Sequence, residues 1–186
     1  MLLGLTGGIG AGKSSALAAF ARRGFPTLSS DDVVHGLYAD PAVREAVVQR
    51  FGADVLAPSG EVDRAALARV VFADDAARRW LEALLHPLVA ESLERFRAAH
   101  DHGELIVHEV PLLFEAALED RYDLVVVVTA PVEIRRARSP ARFDERAGYQ
   151  LPEAEKAARA DRVIVNDRDE QALDRAIGEL VEDLRG

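Results

Sequence analysis

The stretch GLTGGIGAGKSS, residues 4–15, constrains this chain more than any other. Before it, Leu2 to Thr6 is short and apolar and reads as a strand. After it, SALAAFARRG reads as an amphipathic helix stopped by Gly24. Between them, Gly7 to Ser14 fits the spacing G-x-x-x-x-G-K-[ST]. A strand-to-helix turn of this kind is the context a phosphate-binding loop requires. Glycines permit backbone angles that turn successive N–H groups inward, where they cradle phosphate oxygens. The helix start adds partial positive charge. The segment Gly8, Ile9, Gly10, Ala11 and Gly12 is therefore expected to hold a nucleoside triphosphate such as ATP. Lys13 would reach the β- and γ-phosphates, the Ser14 hydroxyl would ligate Mg²⁺, and Ser15 is expected among the ATP-binding residues.

Four apolar segments continue the pattern: a weaker one at 25–28, then 105–110, 124–129 and 162–165. LIV and LVVVV look buried on both faces, as in a parallel sheet. Helices between such strands imply right-handed crossovers and a three-layer α/β domain with a five-stranded parallel sheet. Ligands of these sheets bind outside the carboxyl ends of the strands, here just after Thr6, Leu28, Val110 and Thr129. Residues 36–103 break the alternation. PAVREAVVQRF, DRAALARVVF, DDAARRWLEALLH and PLVAESLERFRAAH read as four helices, with Asp63 and Asp74 as N-caps. Such a stretch far exceeds a crossover and reads as a helical insertion covering the carboxyl end of the sheet, or as scaffold helices that hold no ligand. The expected division is a nucleotide-binding core (1–35, 104–134 and 158–186), this insertion (36–103) and a lid (135–157).

The lid reading rests on RRARSPARFDERAGYQLP, which carries Arg135, Arg136, Arg138, Arg142 and Arg146. Such a cluster closes over transferred phosphates in small kinases, or forms a solvated helix face partly neutralised by Asp144 and Glu145. Two acids lie at strand ends. Asp31, in TLSSDDVVHGLY, is a base for an acceptor hydroxyl or a helix cap. Glu109, in LIVHEVPLL, tunes Mg²⁺ through water or is a strand-end charge. His86 reads locally as ending a helix before Pro87 and capping a carbonyl. His100 and His102 resemble a metal pair but have no further ligands nearby. Trp80, Leu81, Leu84, Leu85 and Leu88 read as core of the insertion.

Composition narrows the function. The formal net charge of −9 argues against a broad nucleic-acid surface, which needs a basic stripe. No cysteine occurs among the 186 residues, so disulfides, thiolate catalysis and Cys-type zinc sites are excluded. The phosphate loop follows the N-terminus at once, so no signal peptide is expected. The longest apolar run, LVVVVTA, is too short to span a bilayer. A cytoplasmic monomer with a small-molecule acceptor is expected, bound to neither nucleic acid nor membrane.

Taken together, the loop LTGGIGAGKSS, LLHPL (84–88), VPLLFE (110–115), and Arg146 four residues before Gln150 resemble the dephospho-coenzyme A kinase family over nearly the whole chain. Glu155-Lys156, Ala160-Asp161 and Asn166 complete the similarity. The resemblance implies a P-loop kinase fold and phosphoryl transfer from ATP to the ribose 3′-hydroxyl of dephospho-coenzyme A. It implies that Asp31 faces that hydroxyl, that Arg146 is the lid arginine, and that Arg138 and Asn166 serve ATP. It places Thr6, His86, Pro111 and Leu112 on the acceptor side. The chain departs from the family pattern where Ser29 replaces an acid, where His35 replaces an arginine, and in a shorter lid. Rival readings are another small kinase of the nucleotide or shikimate type, or a nucleotide-dependent switch.

Overall fold

The computed structural model describes residues 1–100, 103–140 and 143–185; of Glu145 and Arg146 it describes the backbone alone. The chain forms two compact units, Met1–Ser29 with His100–Gly186, and Ser30–Ala99. In chain order the elements are β1 (Leu2–Gly7), α1 (Lys13–Arg22), β2 (Thr27–Ser29), α2 (Ser30–Leu37), α3 (Pro41–Phe51), α4 (Arg64–Ala73) and α5 (Asp75–Ala98). They continue with β3 (Ile106–Glu109), β4 (Leu124–Thr129), α6 (Val132–Arg138), α7 (Phe143–Ala147), α8 (Glu153–Arg159), β5 (Arg162–Val165) and α9 (Glu170–Asp183).

The first unit is built on a five-stranded parallel sheet of order β2-β3-β1-β4-β5. Its central strands are apolar because both faces are covered. Alternate residues of β4 divide between two cores, as a period of two requires. Val126 and Val128 join Leu3, Leu5, Phe20, Leu173 and Ile177 in a core with α1 and α9. Val125 and Val127 join Val110, Leu113 and Phe114 on the other face. Gly4 belongs to that second face, where a Cβ would come within 2.8 Å of the Leu113 and Tyr122 side chains. The three-layer expectation is thus met. β2 begins later than the apolar pattern suggests, at Thr27. Pro26 has no N–H to give the ladder, though its carbonyl accepts from the Val107 amide at 2.9 Å. Phe25 instead packs edge-on against Phe20.

The second unit is helical around Val43, Val47, Val55, Leu67, Leu81 and Leu85, with Trp80, Leu84 and Leu88 packed on them. Phe51 and Trp80 meet edge to face at 5.3 Å. Asp40, Asp63 and Asp74 cap α3, α4 and α5 by accepting from backbone amides. One expectation fails here. The segments expected as two helices meeting at Pro87 form one helix, α5. His86 and Pro87 lie on its exposed side. The Ala83 carbonyl that Pro87 cannot serve is therefore open to water, while Leu81, Leu85 and Leu93 are buried on the other side. His86 accordingly ends no helix.

Candidate active site

The β1–α1 loop is held from several directions. Gly10 and Gly12 have φ of 74° and 99°, which side-chain-bearing residues rarely adopt. A Cβ at Gly10 would stand 2.2 Å from the Arg135 carbonyl, and at Gly12 2.1 Å from Asn166 Nδ2. Asn166 accounts for the second approach. Its Nδ2 donates to the Ala11 carbonyl at 2.8 Å, its backbone N–H to Thr129 at 2.7 Å, and its own carbonyl accepts from Arg138 at 3.1 Å. Gly12, Ser15, Arg138 and Asn166 line a cavity of about 220 Å³ with Arg168, Glu170 and Leu173.

Lys13 begins α1 with its side chain only 12% exposed. Its Nζ donates to the Gly8 carbonyl at 3.4 Å and lies 4.0 Å from Glu109 Oε1. Glu109 is buried at the end of β3, where Oε2 accepts from the Ser29 hydroxyl at 3.2 Å. Register explains the meeting, since β3 pairs Glu109 with Leu5 of β1 and with Ser29 of β2. Ser14 and Ser15 are exposed at the helix start. The Ser14 hydroxyl and the Glu109 carboxylate are hard-oxygen donors of the kind Mg²⁺ takes.

The segment after β3 is anchored from below. Thr6 is fully buried, and its hydroxyl donates to the Pro111 carbonyl at 3.5 Å. Lys156 of α8 is also fully buried. Its ammonium pairs with Glu115 at 2.8 Å and donates to the Pro111 carbonyl at 3.4 Å. Glu115 Oε1 accepts from the Leu151 amide as well, at 2.8 Å. Leu112 is left exposed. The sequence similarity includes Lys156 but gave no sign that it is buried, because its partner lies forty-one residues earlier. Beneath this segment the Tyr122 hydroxyl meets His108 Nδ1 at 2.9 Å. Burial drives His108 down to about 4 and Tyr122 up to about 12, so both are neutral at pH 7.

The arginines of 135–146 are partly committed. Arg135 Nε donates to the Ala130 carbonyl at 3.1 Å and lies 3.3 Å from Glu153 Oε2. Arg136 pairs with Asp144 at 2.6 Å and stacks over Phe143. Arg142, the Arg146 side chain and His102 lie outside the described residues. Asp31 and His86 belong to the helical unit, where both are exposed. Asp31 is the second residue of α2, two positions after Ser29.

A parallel sheet with a lysine-bearing glycine loop at the carboxyl end of its central strand is the arrangement of a P-loop protein. Comparison with known proteins narrows the class. A family model described as dephospho-CoA kinase matches residues 1–172. A dephospho-CoA kinase of Anaeromyxobacter dehalogenans is 42% identical over 196 residues, covering 100% of this chain and 92% of the relative. The crystal structure of TT1252 from Thermus thermophilus superposes with a TM-score of 0.84 at 34% identity, covering 100% and 98% of the two chains. Dephospho-CoA kinase from Campylobacter jejuni shares the fold, with a TM-score of 0.73 at 23% identity over 98% and 96%. The chain belongs to the dephospho-CoA kinase family.

Proposed function

We propose that this chain transfers the γ-phosphoryl group of ATP to the ribose 3′-hydroxyl of dephospho-coenzyme A, the last step of coenzyme A synthesis. Family membership supports the reaction. The observation that carries the local chemistry is Lys13, held between the Gly8 carbonyl and Glu109 at the mouth of the loop. A charge so placed stabilises phosphate oxygens as negative charge develops on them.

In this proposal the amides from Gly8 to Gly12 cradle the phosphates, with Ser15, Arg138 and Asn166 around the rest of the nucleotide. Asp31 takes the proton of the 3′-hydroxyl. The freed oxygen pair forms the bond to the γ-phosphorus, and the bond to the β–γ bridging oxygen breaks to release ADP. Arg146 offsets charge on the transferred group. Pro111, Leu112 and His86 serve the acceptor, and Thr6 positions Pro111 from beneath. Ser14, with Glu109 through water, would hold Mg²⁺, which supplies charge neutralisation on the phosphates. Residues 36–103, nearly all within the helical unit Ser30–Ala99, act as the acceptor insertion, 135–157 as the lid, and the rest of the sheet unit as the nucleotide core. We place the enzyme in the cytoplasm as a monomer.

The experiment is ADP release measured across a panel of acceptors. Dephospho-coenzyme A should drive release, while shikimate and nucleoside monophosphates should not. Release independent of acceptor would mark a nucleotide switch and sink the proposal.

A further inference from the structure

Two amides of the phosphate loop already have side-chain occupants. The Ile9 N–H donates to Gln150 Oε1 at 2.9 Å, and the Gly8 N–H donates to Glu153 Oε1 at 3.3 Å. The packing is close, since a Cβ at Gly8 would stand 2.6 Å from Glu153 Oε1 and 2.8 Å from an Arg135 guanidinium nitrogen. Glu153 uses its other oxygen on Arg135, at 3.3 Å. An anionic oxygen pair thus sits between loop amides and a guanidinium, the surroundings a phosphate group seeks.

The geometry points to Gln150 and Glu153 as stand-ins for phosphate oxygens, which nucleotide must displace to enter. Two contacts would then change hands. The loop amides pass from side-chain oxygens to phosphate, and Arg135 exchanges one anion for another. Meanwhile Arg135 stays aimed by its bond to the Ala130 carbonyl, and the loop keeps its amides directed inward. α8 need not unfold for this, because Lys156, one turn beyond Glu153, remains fastened to Glu115. Glu153 and Gln150 therefore set nucleotide affinity downward, and they act on the phosphates alone.

This inference rests on the nucleotide reading of the loop, and the test separates the two. ADP and adenosine are titrated calorimetrically, without divalent metal, into the intact chain and its variants. Glu153→Gln removes the competing charge, so the Kd for ADP should fall about tenfold, as suits loss of a charged competitor. Gln150→Ala should lower it a few-fold. Adenosine, lacking phosphate, should bind all forms alike. Glu153→Asp, which keeps charge but shortens reach, gives an intermediate value and serves if Glu153→Gln folds poorly. Unchanged or weaker ADP binding in these variants overturns the inference while leaving the nucleotide reading intact. Equal tightening of ADP and adenosine also overturns it, by showing a general rearrangement. Failure of the unaltered chain to bind ADP overturns both.

Discussion

The sheet unit holds two lysine–glutamate pairs built to opposite specifications. Lys13 and Glu109 stand 4.0 Å apart at the mouth of the phosphate loop, with Lys13 still in touch with solvent. Lys156 and Glu115 stand 2.8 Å apart, with the ammonium sealed from water and shared with the Pro111 carbonyl. A long contact costs little to rearrange, so its cation can turn to a newcomer. A short pair around a sealed ammonium is expensive to break, because the partner left behind is at least partly desolvated. The first region is organised for exchange and the second for permanence.

The difference can be broken first at Lys13. Lys13→Ala should lower turnover by a thousandfold or more, on the order seen when a principal cation is taken from a phosphoryl-transfer site. Its melting temperature should fall less than that of Lys156→Met, because Glu109 keeps the Ser29 hydroxyl as a partner. A large loss of stability would place Lys13 with Lys156 and erase the contrast. In the proposed mechanism Asp31 would add an exposed acid to the exchange class. Asp31→Asn keeps shape and capping ability but loses basicity, so the rate should drop roughly a hundred- to ten-thousandfold with ATP affinity nearly unchanged. Asp32→Asn is the control; damage there and none at Asp31 would move the base by one residue.

Lys156→Met should show the opposite profile. Stranding the Glu115 carboxylate should cost about 3–5 kcal/mol, seen as a melting temperature lower by roughly 10 °C. Adding Glu115→Leu should restore part of that loss, since both members of the pair are then gone. A smaller effect comes from pH. His108 is held neutral in the fold at about 4, against an ordinary value near 6.5. Between these values the unfolded chain binds the extra proton, so stability is complete above about 6.5 and falls as pH drops toward 4. The loss amounts to a few kcal/mol at most. His108→Asn should flatten that part of a thermal pH profile; an unchanged profile would assign the loss to carboxylates.

How much of this was open to inspection from the chain follows from distance. The loop was legible because glycine, lysine and serine act within eight neighbouring residues, and the capping aspartates because they bond two or three residues ahead. The cores were legible through periodicity. Pro87 misled because its local rule gives way where the freed carbonyl faces water and neighbouring leucines are anchored. The contacts of Gln150 and Glu153 with the loop span more than 140 residues, and no local pattern marks them.

The order of strands also bears on how the chain comes to be folded. β1 is synthesised first yet occupies the centre of the sheet, paired with Ile106 on one side and Leu124 on the other. At a synthesis rate of about 5–20 residues per second, it waits on the order of 5–20 s for its first neighbour. The helical unit, Ser30–Ala99, is contiguous and complete by then. Closing the sheet must therefore join segments across an already emerged stretch, a high-separation step that slows folding. Pulsed hydrogen exchange during refolding should find amides of α3 to α5 protected before those of β1. An early-protected β1 would mean that its neighbours arrive by a faster route.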